Sequence, residues 1–477
     1  MFLRRAGHGA VGPGPASRAR LVSPGARLGR VVVIGAGISG LAAAWKLARE
    51  GFDVTLVEKE PAAGGLAATL DWDGWKFDYG PHNFHTNDQE VVDFYKKLLP
   101  ERFLERKIKV RLYIFSKLLS YPLVGFDALL ALRGFKMAYA CWSFFLARLK
   151  AFVFGIAPTE HLDEWIIRRF GRVLYETYFG PYIYRVWRAD PHRLSKMIGE
   201  TKIPLLSIRR LIKREFFKKT DLNPEDLSQW QTFYVKGGIG ELARYFLGEI
   251  ERTGRVFLGE EVTALRLRDD RIVSVETARR SLDTTDAAVI STIPVNLLVR
   301  RTAGMPAEIV READKLEFCS ERFLFVRVKR PQVSGYHWTY FSDKRYPFNR
   351  VAEFNRDPFE MVPPGHTSLT FEYPCNEGDW EWTATDDDLM GKTLPLYNEV
   401  FALRREDILD YRSAHHKFAY PRFVLGIDSI LAALLGRLDR IGNLYSIGRQ
   451  GRFCYVNVDG ATRMGLETAA KIISGVR

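Results

Sequence analysis

The chain has little cysteine: four in 477 residues, Cys141, Cys319, Cys375 and Cys454, all far apart. None forms a CxxC pair, which excludes a zinc ribbon or a disulfide framework and leaves four reduced thiols, as in a cytosolic protein. Acid is absent from the first thirty residues, which carry six arginines. That segment also lacks an apolar run, so it does not read as a secretory signal, and no hydrophobic stretch follows Arg4 and Arg5 as a twin-arginine signal requires. Its Gly, Pro, Ala and Arg content predicts a disordered basic arm over residues 1–29, or an upstream extension of the gene start. No nucleic-acid motif, internal repeat or further low-complexity tract occurs, so nucleic acid is not an expected partner. The longest uncharged run of the most aromatic stretch, Met137 to Ala147, is too short to span a bilayer.

What is present points to a large protein with a sizeable core. A 47% hydrophobic chain of this length fills two or three domains, interleaved or consecutive. Of the net +13, about +7 remains beyond the arginine-rich start, which suits an anionic ligand or an acidic membrane surface.

The first functional unit is "VVVIGAGISGLAAAWKLAREGFDVTLVEKE". Val31 to Ile34 reads as a parallel strand buried on both faces, followed by Gly35-x-Gly37-x-x-Gly40, a helix from Ile38 to Glu50, and a second strand, Asp53 to Val57, ending at Glu58. Gly35 permits the tight turn, Gly37 lets the backbone approach a pyrophosphate, and Gly40 lets helix and strand lie close. The helix amino end attracts the phosphates, and Glu58 suits the adenosine ribose hydroxyls. A second glycine turn, Gly64 and Gly65, follows the acid. It resembles the Gly-Gly turn of the glutathione-reductase-type FAD proteins, which moves the expected cofactor from NAD to FAD.

FAD needs more contacts than one βαβ unit supplies. Phe233 to Pro294 reads as a glycine turn, a helix and short strands, with Val262 placed to offer its backbone to adenine. The closing segment has a strand, Leu444 to Ile447, leading to Gly448, and then a helix over Asp459 to Gly475. The expected fold class is α/β: a Rossmann-type FAD-binding domain of glutathione-reductase type, with an inserted helical domain and a mixed-sheet substrate domain. The FAD domain is assembled from residues 30–95, 232–304 and 436–477, the helical domain spans 96–231, and the substrate domain spans 305–435. Within the helical part, residues 134–157 are unusually apolar, fitting a buried helix or a peripheral membrane contact at the inner face of the membrane. The basic run Ile208 to Lys219 fits a solvated helix face or a phosphate or lipid contact.

Against this scaffold, "YGPHNFHTND" resembles the flavin-side loop of the UDP-galactopyranose mutases, which carry a Tyr-Gly-x-His-x-Phe-His-Thr pattern after their Gly-Gly turn. "GRVLYETYFGPYIYRVWRADPHRLS" is similar to the family's helical segment, with Tyr182 five residues before Trp187. "FSDKRYPFNRVAEFNR" resembles its phosphate-contacting segment, with Arg350 and then Glu353; "TFEYP" carries a matching Tyr373; and "IGRQGRFCYVNVD" matches its closing segment with Arg449 and Tyr455. The protoporphyrinogen oxidase and amine oxidase flavoproteins share the architecture and the first motif.

The resemblance implies that a nucleotide-sugar loses its diphosphate and changes ring size through the flavin N5, with no net redox change. Arg350 and Arg449 would then clamp the diphosphate, Tyr373 and Tyr455 would bond the phosphates, and Tyr182 and Trp187 would line the sugar or nucleotide pocket. His82 and His85 would sit beside the flavin ring. Each has a plainer reading as well: Tyr182, Trp187 and Tyr373 as core aromatics, Arg350 in an ion pair with Glu353, and the histidines as structural. Two positions depart from the family pattern: leucine stands where an arginine is expected in "TKIPLLSIRR", and Asn457 replaces an acid. The alternative function is an FAD-dependent oxidase or desaturase acting on an amine, lipid or polyprenyl substrate. The oligomeric state is left open.

Overall fold

A computed structural model describes residues 29–86, 88–121, 135–202, 231–354 and 359–475. The basic arm and the Ile208–Lys219 run lie outside the described residues. Five parallel strands form the first sheet, in the order Arg255–Phe257, Asp53–Val57, Arg30–Ile34, Ala287–Ser291, Leu444–Ser446. The continuous apolar run Val31 to Ile34 of this strand Arg30–Ile34 is explained by its central position, where both faces are covered. Three stretches far apart in the chain thus meet in one sheet.

The helix Ile38–Arg49 covers one face of this sheet, and almost every residue along it is buried. Its alanines allow the C-terminal helix, Val458–Ser474, to lie against it. Gly465 sits at the crossing, where a Cβ would strike the Ser39 carbonyl and come within 3.0 Å of the Ala42 Cβ. A four-stranded sheet, Val262–Arg268, Arg271–Thr277, Ser281–Asp283 and Thr302–Ala303, lies beside the parallel sheet.

The largest sheet has seven strands, in the order Ile408–Arg422, Glu317–Val328, Thr367–Cys375, Arg350–Glu353, Trp338–Phe341, Val110–Ile114, Lys117–Ser120. It is antiparallel except where Trp338–Phe341 runs parallel to Val110–Ile114. The last two strands correct the expected helical stretch over 96–231. Phe115 and Ser116 make the hairpin turn with φ of 52° and 57°, and no Asn-Gly pair marks that turn in the sequence. Phe103–Glu105 is also a strand, paired with Gln231–Val235.

The segment that follows the Gly-Gly turn crosses from the parallel sheet to the seven-stranded one. Asp78 pins it there. Its buried carboxylate accepts hydrogen bonds from the Thr69 hydroxyl at 2.6 Å, the Tyr234 hydroxyl at 2.6 Å and the Ile239 N–H at 3.3 Å. Burial pushes its pKa up to about 6. Phe77 and Tyr79 then pack on Phe325 and Phe323 of the large sheet, with ring centroids 5.2 and 5.3 Å apart.

The aromatic stretch forms one 20-residue helix, Phe135–Phe154, longer than its uncharged run indicated. By length and composition alone, Met137–Phe154 is long and apolar enough to cross a membrane, yet only 6% of it is buried in the protein. The expectation of a buried helix is therefore corrected.

The crossing at Gly465 gives a test of the fold. Gly465→Leu forces a side chain into the Ser39 and Ala42 contact and is expected to cost about 1–3 kcal/mol. Calorimetry should show a melting temperature lowered by several degrees; an unchanged value contradicts the packing.

Candidate active site

The site begins at the amino end of the helix Ile38–Arg49. Its N-cap, Gly37, offers no side-chain cap, and no acid occupies the first turn. Gly35 and Gly40 have reasons internal to the protein. Gly35 has φ of 97° and faces Thr292, while a Cβ on Gly40 would meet the Gly35 carbonyl. Gly37 has neither constraint: its φ is −71°, and a Cβ there would meet nothing within 4 Å. A glycine facing open space at an uncapped helix end fits a pyrophosphate that needs bare backbone. The Gly-Gly turn closes the other side. Gly64 bridges to Gly37 and donates its N–H to the Ala36 carbonyl at 2.8 Å, and Gly65 has φ of 57°. Glu58 accepts the Ala36 N–H at 2.6 Å and the Glu60 N–H at 2.9 Å, which fixes its carboxylate beside the glycine turn. The buried Val262 starts a strand, and its carbonyl accepts from Arg301 at 2.8 Å. Gly448, with φ of 84°, brings the last strand against Ser39, where a Cβ would come within 2.9 Å of the hydroxyl. These residues fit FAD, with the phosphates over the amino end of the helix.

The residue after Gly448 is Arg449. Its Nε and Nη2 both donate to the Val456 carbonyl, at 3.0 and 2.6 Å, just before the C-terminal helix begins. The guanidinium lies 5.3 Å from the Tyr420 ring centroid and 5.1 Å from that of Tyr455, two rings that stack on each other. Arg350 approaches from the large sheet. It is paired with Glu372 on the neighbouring strand, through Nε at 2.6 Å and Nη2 at 2.5 Å, rather than with Glu353. Glu353 instead accepts the Val333 and Ser334 N–H groups at 2.7 and 2.8 Å.

The two arginines converge. Both act electrostatically on His82, Glu321, Tyr420 and Tyr455. Burial, then Arg449 and Arg350, lower the His82 pKa to about 3, so its imidazole is neutral throughout the physiological range. Its Nδ1 lies 3.1 Å from the Gly80 carbonyl. His85 faces elsewhere, with Nδ1 3.1 Å from the Thr232 hydroxyl and its ring edge on Trp338. Burial lowers its pKa, and Asp459 in the first turn of the C-terminal helix opposes that. The two histidines of the loop therefore serve different surroundings.

Tyr182 joins the pocket. It stacks on Tyr178 at 6.0 Å and interacts electrostatically with Tyr121, Tyr340 and Arg350. Tyr121 and Tyr340 are themselves packed at 4.7 Å, and Arg350 lies 5.6 Å from the Tyr340 ring centroid. Two expected ligands do not join. Tyr373 is fully buried on the opposite face of its strand from Glu372, bonded to the Thr393 hydroxyl at 2.7 Å. Strand alternation explains it: when Glu372 faces Arg350, the next residue faces the far core. Trp187 is a core aromatic, packed against Phe423 behind Tyr420.

The residues that sequence reasoning missed are Glu321 and Glu372, 2% and 1% exposed on adjacent strands. Burial and the neighbouring Glu372 push the Glu321 carboxyl well above the usual carboxylate range. The signal was present as acids inside otherwise apolar strand runs, "SERFLFV" and "LTFEYP". Glu372 balances Arg350 and His82 is neutral, whereas Arg449 has no carboxylate partner among the described residues.

The pattern of the family described as flavin containing amine oxidoreductase matches residues 38–473. Among solved structures, a reduced UDP-galactopyranose mutase superposes with a TM-score of 0.78 and 21% identity, over 94% of both chains. A protein assigned as a protoporphyrinogen oxidase from Exiguobacterium sp. 255-15 superposes at 0.72 with 16% identity, over 94% of this chain and 100% of the other. In sequence, the UDP-galactopyranose mutase of Mycoplasma pneumoniae is 27% identical over 36% of this chain and 44% of its own. The zeta-carotene-forming phytoene desaturase of Myxococcus xanthus is 52% identical over 52 residues, 11% of this chain and 10% of its own. The sequence matches to these two relatives thus cover less than half of either protein's length, whereas the family pattern and the superpositions extend over nearly the whole chain. The chain belongs to the flavin-containing amine oxidoreductase family and is an FAD-dependent enzyme.

Proposed function

We propose that the enzyme acts on a nucleotide-sugar or a related glycosyl phosphate, as a mutase-like enzyme working at the flavin N5. The observation that carries this reading is the convergence of Arg350 and Arg449 on His82 and Tyr455, beside Tyr121, Tyr182 and Tyr340. Reduced FAD, when bound, supplies a nucleophilic nitrogen for the anomeric carbon. The chain's own residues handle the charge that leaves that carbon. A diphosphate gains negative charge as its bond to the sugar breaks, and a guanidinium offers it a planar, bidentate donor set. Arg449 is fixed in plane by the Val456 carbonyl and two tyrosine rings, so little ordering cost remains when the anion arrives.

Arg350 plays a different part from the one its sequence position implies. Glu372 already compensates its charge, so it acts as a donor of hydrogen bonds and a positioning group more than as a bare cation. Neutral His82 neither repels the arginines nor carries a proton to be lost near neutral pH. The tyrosine hydroxyls of the wall, Tyr182 and Tyr340 among them, suit sugar hydroxyls and phosphate oxygens. The cytosolic location expected from the reduced cysteines is compatible with a nucleotide-sugar substrate.

The reading is tested by incubating dithionite-reduced enzyme with a panel of nucleotide-sugars and reading product ring size by NMR. A changed ring size with no net consumption of reductant is expected. Stoichiometric bleaching of oxidised enzyme by an amine or lipid, with no ring isomerisation, would assign it to the oxidases or desaturases instead.

The site geometry separates two substitutions. Arg449→Ala should weaken UDP binding about 10- to 100-fold, the range for hydrogen bonds to a charged group. Tyr373→Phe should leave UDP affinity unchanged and lower stability by about 1 kcal/mol, the worth of its bond to Thr393. Titration calorimetry decides; equal effects of the two substitutions on affinity contradict the assignment.

A further inference from the structure

Nine of the fourteen exposed large hydrophobics among the described residues fall on the helix Phe135–Phe154 or the two residues after it. Phe135, Tyr139, Trp142, Phe145, Leu149 and Phe152 recur at helical spacing, with exposures from 44% to 94%. They make an uninterrupted apolar stripe along a helix about 30 Å long. The opposite side docks on the protein through small residues. Ala140 is fully buried against Val173, and the Ser143 hydroxyl accepts the Val173 N–H at 3.3 Å. At Gly171, any Cβ would come within 2.7 Å of the Ser143 backbone. One face is thus committed to the body of the enzyme and the other is bare.

We propose that this bare face docks the enzyme on an anionic lipid bilayer, with the helix lying in the plane of the interface. Three observations select a lipid surface. The helix contains no acid, and its three charges are all basic: Lys136, Arg148 and Lys150. At 100° per residue, Arg148 and Lys150 fall on opposite margins of the stripe, where headgroup phosphates lie when the apolar side is immersed. The stripe also mixes Trp142 and Tyr139 with phenylalanines, the composition favoured at the boundary between headgroups and acyl chains. A second copy of the chain fits less well. A two-fold contact along this helix brings together two helices whose charges are all of one sign, with no acid on either to pair with them. A spanning orientation fits less well again, because the Ala140 and Ser143 face would have to leave Val173 and Gly171. The immersed stripe is one layer from the pocket: Val173 and Leu174 lead directly into the turn Tyr175–Phe179, whose Tyr178 stacks on Tyr182.

The test is co-sedimentation of the full-length, flavin-loaded protein with phosphatidylcholine vesicles, alone or with about 25 mol% phosphatidylglycerol. The protein is expected to pellet with the anionic vesicles, less with the neutral ones, and less again in about 0.5 M salt. F145E/L149E should lower the partition at least about tenfold, because two large apolar side chains no longer enter the interface. Arg148→Ala/Lys150→Ala should remove most of the preference for anionic over neutral vesicles. Retained flavin absorbance in each variant shows that the fold is intact. Failure of wild type to pellet with either vesicle overturns the proposal, as does equal pelleting of F145E/L149E. A dimer seen by light scattering that F145E/L149E turns into a monomer, with no vesicle binding by wild type, assigns the face to a second copy and also overturns it.

Discussion

The bare amino end of the helix Ile38–Arg49 is the constraint on which the rest of the structure depends. Leaving a helix end uncapped costs hydrogen bonds unless a ligand supplies them. Every element around that end is arranged to keep side chains out of it. Gly37 faces open space, the Gly64 and Gly65 turn closes one flank with backbone alone, and Gly448 brings the last strand against Ser39. The C-terminal helix can stand beside the same helix because Gly465 removes the side chain at their crossing. Three remote segments thereby meet at one uncapped helix end.

Chemistry is added from the other sheet. The segment after the Gly-Gly turn is fixed by Asp78 and carries His82 across to the large sheet, where Arg350, Glu372 and Glu321 lie on adjoining strands. Burying such charges is costly unless they are paired. Here Arg350 and Glu372 pair bidentately, burial pushes the Glu321 carboxyl well above the usual carboxylate range, and His82 gives up its proton. Among the described residues, Arg449 has no carboxylate partner and is held by a carbonyl and two rings.

The parallel sheet and its glycines were legible in the sequence because each residue type there answers a local demand. A strand buried on both faces must be uniformly apolar, and a phosphate turn must be glycine. The convergence of Arg449 with His82 was legible only through a family likeness, since nothing local in "IGRQG" says what the arginine meets. Tyr373 and Trp187 were misplaced for a simple reason. A motif fixes the residue, but the face of a strand or helix is fixed by what packs on either side. The Val110–Ile114 hairpin stayed hidden because its turn uses Phe115 and Ser116 in a conformation usually left to glycine and asparagine. Glu321 and Glu372 stand out in the sequence as acids in apolar strands, but what they meet is set by partner strands remote in the chain. The exposure of the aromatic helix was beyond reach from composition, since a buried helix and an interfacial one read alike.

The central claim is that bare backbone at Gly37 holds the diphosphate of FAD, and flavin content measures it directly. Purified wild-type protein should be yellow and release close to one equivalent of FAD on denaturation. Gly37→Val, whose Cβ meets nothing within 4 Å, should fold with an unchanged circular dichroism spectrum and carry almost none. A colourless wild type that takes up no FAD on reconstitution, or a Gly37→Val protein with a full complement of flavin, would contradict the account.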